Sequence, residues 1–179
     1  RLSTHLGNGC PEMMHRHQSP LWAQLAIADL SASVICDGFH LPPDLVKVIL
    51  LAKTIDRCIL ITDAVSAATL PPGIYRLLDT EVELLPNNKV VSREARTLAG
   101  SGASLNHVVD VFLRYTGVPL ADALRAATFN PARLLGREGM CSAVAEGQPA
   151  NLFLFRPELP DLGISRVISG GEEVFCAQA

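Results

Sequence analysis

Two apolar runs, "ASVICD" at 32–37 and "RCILIT" at 57–62, constrain this chain more than any other feature. Both are short, β-branched and almost without polar residues until their last positions, the texture of strands covered on both faces of a parallel sheet. Parallel neighbours need a crossover, and the residues between them supply one. "PPDLVKVILLAKT" begins with prolines and an aspartate suited to a helix start, then turns amphipathic. "SPLWAQLAIADL" reads as a helix ahead of the first run. The order is strand end, loop, helix, strand, loop, helix, strand, so an α/β fold built by βα repetition is expected.

From Thr69 to Arg96 the texture changes: "GIYRL", "EVELL" and "KVVS" are extended pieces broken by "PPG" and "PNN", a β excursion. Helical patterns return at "SLNHVVDVFLRYTG", "PLADALRAAT" and "NPARLLG". Beyond Gly136 "ANLFLF", "SRVIS" and "EEVFC" are strand-like, which puts a domain boundary near 136.

Composition bears on partners. With 49% hydrophobic and 18% charged residues among 179, the chain can bury a core and is not disordered. A net charge of −3 gives no basic face for nucleic acid. Lysines and arginines are scattered singly, and no apolar run nears the ~20 residues a spanning helix needs, so no membrane partner is expected. Five widely spread cysteines without a C-x-x-C pair suit free thiols in a reducing cytoplasm.

Placed on the βα frame, the polar residues acquire a pattern. His5 follows a first strand remnant, Asp37 and His40 follow the second strand, and Asp63 follows the third. In parallel α/β barrels the C-terminal strand ends converge on the active site. Each residue also has a plainer reading: Asp63 as a cap, Asp37 as an Asx turn before Gly38, His107 as a helix-surface residue. The recurrence on successive strands is what favours a site. A neutral imidazole such as His5 suits zinc, and a carboxylate such as Asp63 can take a proton from water and hand it to a leaving amine. Arg16 and His40 suit an anionic substrate group.

"THLGNGCP" followed by Arg16, then "CDGFHLP", "LITDAVSAA", "TLAGSGASL", "NPARLLG" and "VAEGQPANLFLF" stand in the order seen in N-acetylglucosamine-6-phosphate deacetylases of the amidohydrolase superfamily, which the chain resembles over essentially its whole length. The resemblance implies a metal-dependent (β/α)₈ barrel fused to a small β-sandwich. Residues 1–136 would be the C-terminal part of the barrel, its last three strands and helices, with the excursion at about 69–96; residues 137–179 would be the C-terminal strands of the sandwich.

By the same resemblance His5 is a metal ligand and Asp63 the catalytic general base and acid. Asn8, Gly9, Asp37, Gly38, Phe39, His40, Thr97, Leu98 and Ala99 contact the substrate, and Arg16 engages its phosphate. The implied cofactor is a divalent metal, zinc first, with iron or another divalent ion compatible. The implied partner is a phosphorylated amino sugar, and the complete protein is expected to be a homodimer. Other metal ligands, a glutamate and a histidine, lie upstream of the matching region in that family. A full barrel needs roughly 250 residues, so the chain reads as a C-terminal fragment expected to be inactive alone.

Gly7, Gly9-Cys10, His17 and the "GSGAS" run depart from the common family pattern in the substrate loops. Two alternatives therefore stand beside N-acetylglucosamine 6-phosphate deacetylation: hydrolysis of another N-acyl sugar or a cyclic amide, and a non-catalytic remnant completed by a partner polypeptide.

Overall fold

A computed structural model describes residues 1–11, 13–141, 144–158 and 160–177. Its first layer is a three-stranded parallel sheet in the order β1 (Leu2–Ser3), β2 (Ser31–Ile35), β3 (Cys58–Ile61). All five residues of β2 are buried, because β2 is central in the sheet and covered on both faces. Its polar residues, Ser31 and Ser33, are accordingly small and buried rather than a solvent-facing row. The register sets Ala32 beside Cys58 and Ile35 beside Ile61.

Helix α1 (Pro20–Ala26) joins β1 to β2, and α2 (Pro43–Lys53) joins β2 to β3. Both open on proline near the first turn, where a missing N–H costs nothing. Helix α1 stops earlier than its apolar pattern suggests, at Ile27, which is extended. A buried lysine closes that end: Lys53 Nζ donates to the carbonyls of Gln24 and Ile27, the latter at 2.7 Å. Residues Val46, Ile49 and Lys53 of α2 face inward at helical spacing.

Four antiparallel strands follow in the order β4 (Gly73–Leu77), β5 (Thr80–Leu84), β6 (Lys89–Ser92), β7 (Leu98–Ser101), with Val82, Leu84 and Val90 as a small core of their own. Strand β7 does more than close this meander. Ala64 and Ser101 form a parallel bridge, so β7 also lies alongside the chain leaving β3. The sequence reading counted three parallel strands and treated "TLAG" only as pocket lining. Leu-Ala-Gly-Ser has no β-branched or aromatic residue to mark a strand.

Helices α3 (Leu105–Thr116), α4 (Leu120–Ala127) and α5 (Phe129–Leu134) complete the main body. Val108, Val109, Val111 and Phe112 of α3 and Ala123 and Ala126 of α4 join Val34, Leu60 and Ile49 in one buried cluster. A final antiparallel sheet, ordered β10 (Glu172–Cys176), β9 (Arg166–Ser169), β8 (Leu152–Leu154), ends the described chain. The turn between β8 and β9 is tied to α3 by His107 Nδ1 and Asp161 Oδ1 at 2.7 Å and by Asn106 Nδ2 donating to Asp161 O at 2.9 Å. Among the described residues no helix is long and apolar enough to cross a membrane.

Candidate active site

His5, Asp37 and Asp63 each lie two residues beyond the C-terminal end of their strand: β1 ends at Ser3, β2 at Ile35 and β3 at Ile61. The strands are parallel and adjacent, so the three side chains rise from one rim of the sheet. With neighbouring strands ~4.8 Å apart, the ends of β1 and β3 stand about 10 Å from each other across β2. That separation is one of strand ends; the cleft that Asp63 lines is walled by residues of β4, β5 and β7 and by the chain leaving β3, not by His5.

At the β1 end, His5 has a φ of 34° and its N–H donates to Ser33 Oγ at 2.7 Å. Ser33, buried in β2, thus sets the turn that carries the imidazole. His5 Nδ1 and Asn8 Nδ2 are buried and have no hydrogen-bond partner. Two unpartnered polar atoms in one loop suit a ligand, since unmet buried groups are costly. The next residues are tightly confined. Gly7 has a φ of +92°, and a Cβ there would lie 3.0 Å from Leu41 Cδ2, which accounts for glycine at a position where the resemblance expects a bulkier side chain. Arg16, His15 and His17 lie on the exposed stretch that follows. His15 Nδ1 accepts the N–H groups of His17 and Gln18 at 3.2 and 3.0 Å, a local turn contact.

At the β2 end, Asp37 is 2% exposed and all its acceptor capacity is used within the chain. Oδ1 accepts from the N–H groups of Phe39 at 2.9 Å and His40 at 3.1 Å, the Asx turn read from the sequence. Oδ2 meets His40 Nδ1 at 2.8 Å and accepts from Ser101 Oγ at 2.9 Å. Burial disfavours the charged carboxylate, but the His40 ring and the two N–H bonds outweigh it and hold the carboxyl well below its usual range. His40 has a 6% exposed side chain, Phe39 is half-buried, and Gly38 is exposed. Lys89 Nζ sits 5.9 Å from the Phe39 ring centroid, bringing a cation from β6 to this turn.

At the β3 end, Asp63 has a φ of 54° and an exposed side chain. It does not cap the next segment: Ala64 N–H donates to Thr62 Oγ1 at 3.2 Å instead. Asp63 O accepts from Ser101 N–H at 2.9 Å. The close approach depends on Gly100, where a Cβ would lie 2.9 Å from Asp63 O and 2.5 Å from Val65 Cγ1. Asp63 lines a cleft of about 710 Å³ with Val65, Leu77, Leu78, Ala99 and Gly100. Ala99 therefore shares its wall, while Leu98 is half-buried on the same strand and Thr97 is exposed beside it.

The structure thus brings Asp63 and Ala99 into one cleft and Asp37 and His40 into one hydrogen-bond network, with His5, Asn8 and Gly9 in the neighbouring β1 loop. Arg16 is placed on an exposed stretch of that same loop. Ser33, Ser101 and Lys89 were not among the residues singled out from sequence. Among the described residues no three His, Cys, Asp or Glu side chains cluster as a metal site. Among the described residues the unpartnered His5 imidazole fits as a metal donor.

Residues 15–174 match the model of the family described as "Amidohydrolase family". A putative N-acetylgalactosamine-6-phosphate deacetylase of Escherichia coli K12 is 32% identical over 83% of this chain and 87% of its own length. The N-acetylgalactosamine-6-phosphate deacetylase of Escherichia coli O157:H7 is also 32% identical, over 83% of this chain but 38% of that protein. The crystal structure of N-acetylglucosamine-6-phosphate deacetylase from Thermotoga maritima superposes with a TM-score of 0.84 at 31% identity, covering 98% of this chain and 47% of that one. The chain therefore spans less than half the length of these last two relatives.

Proposed function

The chain belongs to the amidohydrolase family, and on that premise we propose that it forms the C-terminal part of a metal-dependent deacetylase acting on N-acetylglucosamine 6-phosphate. The observation that carries the reading is the common rim: an unpartnered imidazole at the end of β1 and an exposed carboxylate at the end of β3 of one parallel sheet. Strands β1 to β3, with β7 bridged alongside, are then the closing part of a (β/α)₈ barrel, and residues 137–179 are part of a small β-sandwich. Strand β1 is at an open sheet edge, where an upstream strand of a longer protein would pair.

His5 would hold the divalent metal, zinc or another ion of that class, together with donors outside this chain. When bound, such an ion polarises an acyl oxygen and lowers the pKa of water to about 7. Asp63 accepts a proton as water adds to the acetyl carbon, then delivers it to the amide nitrogen as the C–N bond breaks. The products are acetate and the free amino sugar phosphate. Asn8 and Gly9 face the sugar from the β1 loop, Gly38, Phe39 and His40 from the β2 turn, and Thr97, Leu98 and Ala99 from β7. Asp37 belongs to the same turn. Arg16 reaches the phosphate, for which a planar guanidinium is well shaped.

A second reading keeps the chemistry and changes one stereocentre: the substrate is the N-acetylgalactosamine 6-phosphate named for the two Escherichia coli relatives. The ratio of kcat/KM for the two epimers decides between them. The test of the chemistry is Asp63→Asn in the complete, metal-loaded enzyme. Turnover is expected to fall by about 10³-fold or more while sugar-phosphate binding stays within about twofold. Unchanged turnover refutes the assignment.

A further inference from the structure

Ser101 stands where two parts of the site meet. Its backbone is bonded to the Asp63 loop on both sides: Ser101 N–H donates to Asp63 O at 2.9 Å, and Ser101 O accepts from Val65 N–H at 3.0 Å. Its hydroxyl serves the β2 turn instead, donating to Asp37 Oδ2 at 2.9 Å while accepting from Ala103 N–H at 3.0 Å. At 1% exposure the residue has no water to turn toward. A hydroxyl has one proton, and here it is given to Asp37.

Asp37 passes the constraint on. An ionised carboxylate only accepts, so the ring nitrogen 2.8 Å from Oδ2, His40 Nδ1, carries a proton. Nε2 is then the ring nitrogen left for a ligand. It accepts from a hydroxyl when the ring is neutral and donates to an anionic oxygen when the ring is protonated. The Ser101 hydroxyl holds Oδ2 on the side opposite the turn's own N–H groups, so the carboxylate cannot rotate away from the imidazole without losing a buried bond.

We propose that Ser101 is a positioning residue: through Asp37 it fixes the His40 ring with Nδ1 protonated and Nε2 presented to substrate, and through its backbone it registers that ring against the Asp63 loop. The substrate role of Nε2 rests on the deacetylase reading; the ring state does not.

Histidine ¹⁵N resonances of the full chain test this, with His40→Gln assigning the His40 signals. In the wild-type chain the neutral His40 ring is expected as the Nδ1–H tautomer, with that proton protected from exchange. Ser101→Ala should speed its exchange about tenfold, the scale of one charge-assisted hydrogen bond. Ser101→Thr, which keeps the hydroxyl, should retain the protection. An Nε2–H tautomer in the wild type, or exchange unchanged in Ser101→Ala, overturns the proposal. Should Ser101→Ala fail to fold, Ser101→Cys, with a weak donor and similar volume, carries the same comparison.

Calorimetry with N-acetylglucosamine 6-phosphate on the complete, metal-loaded protein of which this chain is the C-terminal part adds the functional arm. Ser101→Ala should weaken binding about tenfold, with Ser101→Thr restoring it. If the wild type binds no sugar phosphate while the tautomer results hold, the deacetylase reading fails and the positioning role stands.

Discussion

At Asp37, burial and hydrogen bonding pull in opposite directions, and the second prevails: the carboxyl is held below its ordinary range by the His40 ring and the Phe39 and His40 N–H groups. A folded-state pKa below the unfolded value means stability that is present above the unfolded pKa, near 4, and is lost as pH falls from there toward the folded value. Asp37→Asn should therefore flatten the fall of unfolding free energy below about pH 4, as measured by urea denaturation across pH. An acid limb identical to wild type would contradict this. The strand-end positions of Asp37 and Asp63 were legible because each follows an apolar run; His5, with only Leu2 apolar before it, was read as the end of a strand remnant. Ser101 was not legible. Its partner lies 64 positions away, and a serine between two glycines looks like loop until topology closes the distance.

Among the elements, legibility followed hydrophobic texture. Strand β3 announces itself through its unbroken Ile59, Leu60 and Ile61, β2 through Ala32, Val34 and Ile35 with only small serines among them, and β4 to β6 as extended pieces between turn signals. Strand β7 is invisible to either rule, and the parallel bridge at Ser101 is set by Gly100 allowing a backbone approach that any side chain would block. The end of α1 was misjudged for a similar reason: what stops it is Lys53, from another helix, whose ammonium satisfies the Gln24 and Ile27 carbonyls. Lys53→Met keeps the aliphatic stem but leaves both carbonyls unmet in a site 1% exposed. The variant is expected to lose about 2–3 kcal/mol of stability, read from denaturant midpoints. A loss below about 0.5 kcal/mol, the size of an ordinary surface change, would mean that the lysine is incidental.

At the scale of the whole molecule, three sheets carry different duties: the parallel layer sets the rim, the meander walls the Asp63 cleft, and the last sheet packs its β8–β9 turn against α3. The rim was foreseeable because parallel strands with polar residues at successive ends can only gather them on one side. The cleft was not, because its meander side, Leu77, Leu78, Asp79, Thr80 and Ala99, is brought to Asp63 only by the fold and carries no motif in the sequence. The account turns on His5 and Asp63 addressing one substrate from the two outer strands of the parallel layer. A crystal structure of the protein with zinc and N-acetylglucosamine 6-phosphate bound tests this directly. The metal should sit on the His5 imidazole, with the acetamido group between it and an Asp63 carboxylate within hydrogen-bonding reach. A sugar phosphate bound away from the rim, or a metal on the rim that leaves His5 untouched, would contradict it.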